Sequence, residues 1–174
     1  MKYKQFYVDK HAAHSDWWVG TYIYETPIST INIAPRLREN VFNYGCKTML
    51  DYGSGKGHQY TVEQYDKYID VQVDMYDPGV PGIDTLQDKQ YDAVLCMFVL
   101  PMVPEEEIDG VLTDIFSRAT KFVAFGLVNK PSRTKTFDDG TNIVVSYKTE
   151  EEWRARIALF NTNNLPIDVL FVDW

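Results

Sequence analysis

Residues 48–57 read Thr-Met-Leu-Asp-Tyr-Gly-Ser-Gly-Lys-Gly and carry the densest chemical signal in the chain. An apolar stretch ends on Asp51, and Gly53, Gly55 and Gly57 then occupy every second position, with Ser54 between the first two. Glycine is needed where backbone takes positive φ or approaches a ligand with no room for a Cβ. A helix that starts after such a loop offers free N–H groups to the polar end of a ligand. Two nucleotide loops fail the spacing. A phosphate cradle requires Gly-x-x-x-x-Gly-Lys followed by Ser or Thr, whereas Gly55-Lys56 is followed by Gly57 and position 50 is Leu. The hydroxyl that would hold a nucleotide's magnesium is therefore missing. A dinucleotide loop requires G-x-G-x-x-G or G-x-G-x-x-A. Gly53-Ser54-Gly55 begins it, but His58 stands in its last position.

Other reactive side chains are sparse. His11 and His14 would share one face of a helix, but two imidazoles without a third firm ligand do not make a metal site, so no metal is expected. Two Cys in 174 residues cannot form a disulfide framework. Cys46 precedes one strand and Cys96 ends a parallel neighbour, which puts them more than ~10 Å apart by strand rise, too far for a bridge. Cys96 reads as a small buried hydrophobe rather than a nucleophile. No residue is singled out as a catalytic acid or base.

The elements that position these groups follow from periodicity. Residues 47–52, 69–76, 91–97, 121–128 and 167–173 read as strands, several of them as near-continuous apolar runs covered on both faces. Pro104, Glu105, Glu106 and Glu107 open a helix on which Ile108, Val111, Leu112, Ile115, Phe116 and Ala119 share a face. Thr149 and Glu152 form a capping box ahead of Trp153, Ile157 and Phe160. Residues 58–68 are a weaker helix, and residues 142–147 a short strand-like run after a turn at Asp138-Asp139-Gly140. Alternating strands and helices imply an α/β domain with a parallel sheet and right-handed crossovers. Its ligand site is then expected beyond the C-terminal ends of the central strands.

Composition narrows the partners. The 17 Lys+Arg against 25 Asp+Glu leave a net charge of −8 with no basic run, which disfavours gripping a phosphate backbone or docking on an anionic membrane. No stretch is long and apolar enough for a signal peptide or a membrane span, so a cytoplasmic protein is expected. The 12 Tyr, 9 Phe and 4 Trp argue for a folded chain, and the length fits one domain, 1–174.

The run Asp51-x-Gly53-x-Gly55-x-Gly57 resembles the acid-x-Gly-x-Gly-x-Gly loop of small class I S-adenosylmethionine-dependent methyltransferases. Tyr76-Asp77-Pro78, Tyr91-Asp92-Ala93-Val94-Leu95-Cys96, Val103-Pro104, Asp139-Gly140-Thr141-Asn142 and the Trp153 helix look like a bacterial and phage branch of that family. The resemblance covers roughly residues 7–160. It implies a three-layer, Rossmann-like class I methyltransferase fold with a mostly parallel sheet, trimmed around the third strand. Residues 1–45 would be a helical lid on a 46–174 core, with an antiparallel or edge strand last.

The cofactor implied is S-adenosylmethionine. By this resemblance Gly53, Ser54, Gly55 and Gly57 would line its methionine part and Asp51 would meet its ammonium. Asp77, or Asp74 as runner-up, would hold the ribose. Asp84 and Thr85 would flank the adenine, and Cys96 and Met97 would lie under the sulfonium. Tyr7, His11, His14, Trp18 and Phe98 are candidates for contacting the acceptor. Relatives carry an acid and a His where this chain has Phe98 and Met102, so a base is missing. The implied activity is methyl transfer to a small molecule rather than nucleic acid, by a monomer or homodimer. The alternatives are a binding module for the same cofactor without transfer, and a dinucleotide oxidoreductase.

Overall fold

Strand and helix periods alternate along the chain as the apolar pattern dictates. The computed structural model describes residues 4–13, 33–61, 64–131 and 136–172. Helix α1 (Lys4–Ala13) and α2 (Ile33–Asn43) precede β1 (Thr48–Tyr52), α3 (His58–Thr61), α4 (Tyr65–Ile69), β2 (Gln72–Tyr76) and β3 (Tyr91–Met97). Then come α5 (Ile108–Arg118), β4 (Ala119–Val128), α6 (Glu150–Phe160) and β5 (Ile167–Val172). The five strands form one sheet in the order β2-β1-β3-β4-β5, and every pairing is parallel. Residues 77–90 connect β2 to β3 with neither helix nor strand.

Both faces of the sheet are covered, which explains the nearly unbroken apolar strands. Side chains alternate across a strand. Met49, Ala93, Leu95, Phe122 and Ala124 therefore pack with Leu37 and Val41 of α2 and Tyr65 and Ile69 of α4. Leu50, Tyr52, Val94, Cys96, Val123 and Phe125 face the other way, against Ile108, Leu112 and Ile115 of α5 and Trp153 and Ile157 of α6. Each fully buried side chain of this size contributes about 1.5–3 kcal/mol. Helices thus flank a five-stranded parallel sheet, an arrangement compatible with a Rossmann-like fold.

The capping box at α6 is present: the Glu152 amide donates to Thr149 Oγ1 at 3.2 Å, and the Thr149 amide donates to Glu152 Oε2 at 2.8 Å. Arg156 then ties α6 to α5 through Asp109, Nη2 to Oδ1 at 2.6 Å.

Several expectations shift. Pro104 opens a 3-10 turn, Glu105–Glu107, before the α-helix starts at Ile108, and Ala119 begins β4 instead of ending the helix. The expected helix over 58–68 is two short ones, because Gln64 at the start of α4 takes a left-handed φ of 55°. Residues 69–71 end α4 and lead into β2 rather than extending it. The 142–147 run is no strand. Apart from one antiparallel bridge between Thr136 and Asn142, its backbone turns inward, and the Val145 and Ser146 amides both donate to Pro101 O at 2.9 and 3.0 Å. The last strand is at the edge, as expected, and it is parallel to β4. Cys46 and Cys96 are free and buried in clusters on opposite faces of the sheet.

Strand order reverses between β1 and β3, so the crevice that accepts ligands in open α/β sheets lies at their C-terminal ends. α1 sits at the same end: Tyr7 packs in a cluster with Phe98, which follows β3, and Val128, which ends β4.

Candidate functional site

The glycine loop runs from the end of β1 across the end of β2. Tyr76 O accepts the amides of both Gly53, at 2.7 Å, and Ser54, at 3.0 Å. The Gly57 amide donates to Ser54 O at 3.3 Å, and the Gly55 amide donates to Asp77 Oδ2 at 2.9 Å. Four loop amides are therefore spent within the protein. Space is tight as well. A Cβ on Gly53, whose φ is +88°, would lie 2.1 Å from Val99 Cγ2, and one on Gly57 would lie 2.2 Å from Met75 Sδ. Ser54 is buried, with its hydroxyl donating to Gly55 O at 3.3 Å.

Asp51 sits at the head of this loop, only 3% exposed. Tyr60 Oη donates to its Oδ2 at 2.7 Å and Gln59 Nε2 donates to the same oxygen at 3.0 Å. Burial pushes its carboxyl up to about 6, against the lowering effect of the Tyr60 and Gln59 hydrogen bonds and with the Asp77 charge adding to the rise. The second N–H of Gln59 goes to Ser54 O at 3.2 Å, which leaves its Oε1 buried with no donor among the described residues. Gln59 and Tyr60 were not singled out by spacing. Their signal was two hydrogen-bonding side chains in the first turn after the loop, eight and nine residues beyond the acid they hold.

Asp77 follows β2, and both of its oxygens meet backbone: Oδ2 the Gly55 amide and Oδ1 the Gly79 amide, each at 2.9 Å. Burial raises its pKa, and these two backbone bonds offset part of the rise. Asp74 is held by Lys89 Nζ at 2.8 Å and by Tyr91 Oη at 3.0 Å. Asp84 and Thr85 lie exposed in the connection that follows.

Cys96 is fully buried under α5 and α6, and burial drives its thiol pKa far up, so it is a neutral core group. Met97, on the other face, is partly exposed near Arg36, Leu37, Leu95, Ala124 and Leu170. Phe98 takes a φ of 60° and is 3% exposed, and its amide donates to Gly126 O at 2.8 Å. Such a conformation in a non-glycine residue costs on the order of 1–3 kcal/mol. Gly126 makes it possible, because a Cβ there would come 2.8 Å from Met97 Cε and 3.1 Å from the Phe98 ring. That role is invisible in a strand read by its apolar period.

Tyr7 lies in the aromatic cluster of α1, with its ring 6.0 Å from that of Phe137, while Phe6 meets Phe137 edge-on at 4.5 Å. Phe98 and, at the margin, Met102 belong to the same cluster. The backbone of His11 is part of α1, and its side chain lies outside the described residues, as do His14 and Trp18. Among the described residues no group of three or more His, Cys, Asp or Glu could hold a metal ion, and no helix is long and apolar enough to cross a membrane.

The glycine loop, Asp51, Asp77 and the end of β3 thus converge on one end of the sheet. Comparison with protein-family models and with curated proteins found no significant match to this chain.

Proposed function

We infer that this chain binds S-adenosylmethionine at the glycine loop and transfers its methyl group to a small acceptor. The observation that carries the reading is the inward pairing of the loop amides around a buried carboxylate. A pyrophosphate or magnesium nucleotide draws on several unpaired loop amides. Here the amides of Gly53, Ser54, Gly55 and Gly57 are occupied, and two carboxylates, Asp51 at its head and Asp77 on the Gly55 amide, border the loop, which itself carries Lys56. Such a site suits a cationic ligand. The cofactor carries an ammonium and a sulfonium. Both donors to Asp51 converge on Oδ2, so Oδ1 remains to accept from the ammonium, with Gln59 Oε1 as a second acceptor.

In this arrangement Gly53, Ser54, Gly55 and Gly57 pack along the methionine portion. Asp84 and Thr85 lie on the connection that would border the adenine. Met97 and the backbone of Cys96 border the sulfonium. Transfer breaks the S–CH3 bond as the acceptor's lone pair forms the new one, and S-adenosylhomocysteine leaves with the electron pair on sulfur. The proton displaced from an amine acceptor passes to solvent. Phe98 and Met102 supply no base, so rate must come from holding donor and acceptor in line. A neutral amine or a thiolate suits that, and a hydroxyl does not. The net charge of −8 supports a small acceptor over DNA or RNA.

One observation favours a second reading, a cofactor-binding module without transfer. Positions 98 and 102 hold apolar side chains packed in the Tyr7 and Phe137 cluster, where an acid and an imidazole would assist an acceptor. Incubation with methyl-labelled S-adenosylmethionine and the small-molecule fraction of a cell extract separates the two. Transferase activity predicts label on a product other than the cofactor. Cofactor binding with no labelled product in any fraction supports the module instead.

A further inference from the structure

Where α2 meets β3, β4 and β5, a cleft of about 330 Å³, counting the space at its open mouth, lies on the face of the sheet that α2 covers. Leu95 and Ala124 line it from the sheet, Leu37 from α2, and Met97 and Leu170 from the C-terminal halves of β3 and β5. Side-chain size on β4 explains the gap. Phe122 packs with Leu37 and Val41 under α2, and two residues on, pointing the same way, Ala124 lacks that bulk. We propose that this cleft holds the methyl acceptor, and that Arg36 at its rim selects a small acid: a carboxylate on an apolar body, with the accepting amine or thiol at the far end. The acceptor role rests on the cofactor reading above, in which Met97 borders the sulfonium; the preference for a carboxylate stands on the cleft alone.

Two charged side chains line the cleft, and they are paired. Arg36 Nη2 donates to Asp168 Oδ1, and Asn40 Nδ2 donates to Asp168 Oδ2 at 3.0 Å. The pair is unevenly placed: the Arg36 side chain is 54% exposed and that of Asp168 only 17%. A ligand entering from solvent therefore meets the cation first. A guanidinium carries five N–H donors in a rigid fork, and Nε and Nη1 of Arg36 have no acceptor among the described residues. A carboxylate matches such a fork with two parallel bonds, whereas an ammonium has nothing to offer it. Asp168 holds the guanidinium in place beforehand, which reduces the ordering that a ligand must impose. Charge at this open rim sets selectivity, while the apolar lining supplies most of the affinity.

Hexanoate, hexanamide and hexylamine share one chain and differ in charge, so they test the preference directly. Each is titrated into protein labelled with 13C-methyl methionine, in which the Met97 signal is identified by its absence from Met97→Leu. Hexanoate is expected to shift that signal saturably, with a Kd about tenfold or more below those of the other two. Arg36→Gln combined with Asp168→Asn keeps a hydrogen-bonding pair without charge and should bring the three probes within about threefold of one another. Arg36→Gln alone leaves Asp168 charged and should turn the preference toward hexylamine, which decides the matter if the double variant does not fold. No saturable shift with hexanoate, an equal or stronger response to hexylamine in wild type, or a preference for hexanoate that survives both variants overturns the proposal.

The acceptor role is read separately, with methyl-labelled S-adenosylmethionine and either 6-mercaptohexanoate or 6-mercaptohexanol. The acid should take label about tenfold or more faster than the alcohol in wild type, and not in the double variant. Equal labelling of the two thiols, or selective hexanoate binding with no label on either, removes the acceptor assignment. Failure of S-adenosylhomocysteine to bind wild type would overturn the cofactor reading, while the hexanoate titration would still decide the acid site.

Discussion

Asp51 is a carboxylic acid placed where its charge is expensive, and that has a measurable signature. Its pKa rises from an ordinary 3.8 to about 6 on folding, mainly through burial. The folded state therefore prefers the protonated form. This contribution to stability is complete below about 3.8 and is lost as pH rises through about 6. A shift of that size corresponds to about 3 kcal/mol. Denaturant unfolding at pH 4 and pH 7.5 should show Asp51→Asn gaining about 2–3 kcal/mol on wild type over that interval; parallel pH profiles would contradict the account. At Gly53 the prediction is steric. Gly53→Ala would force a Cβ to within 2.1 Å of Val99 Cγ2 at a φ of +88°, and should destabilise the fold by at least ~1 kcal/mol in the same assay. The acid and the glycines were legible because Asp and Gly at fixed spacing are rare punctuation in an apolar strand. Gln59, Tyr60 and Gly126 were not, because their roles depend on partners brought close only by folding.

At the scale of elements, the signals that were local were the ones that could be read. Thr149 and Glu152 cap α6 with both bonds of the box in place. Trp153 and Ile157 anchor that helix in the core, so fraying at its start loosens packing that the whole domain shares. Thr149→Ala should lower stability by about 1 kcal/mol, read as a shifted urea midpoint with an unchanged slope. No shift would mean that the box contributes nothing beyond what water supplies. The split of 58–68 into α3 and α4 was not legible, because it turns on Gln64 adopting left-handed backbone, which side-chain type does not announce. The 142–147 run failed for a related reason. Its Ile143 and Val144 are buried side by side, and its Val145 and Ser146 amides donate to Pro101 O rather than to a neighbouring strand.

Across the whole molecule, the all-parallel order β2-β1-β3-β4-β5 brings the glycine loop, the Asp77 turn and Phe98 to one end of the sheet. That convergence was legible as a consequence of alternating strands and helices, since parallel strands carry their following loops to the same edge. The direction of β5 was not, because an edge strand of either polarity can bury the same face. An acidic chain with a carboxylate at the head of a closed glycine loop is suited to a cation and poorly suited to a pyrophosphate. Calorimetric titration of the protein with S-adenosylhomocysteine and, separately, with NAD tests this most directly. The account predicts one-to-one binding of S-adenosylhomocysteine and no heat with NAD. Binding of NAD, or no binding of S-adenosylhomocysteine or S-adenosylmethionine, would contradict it.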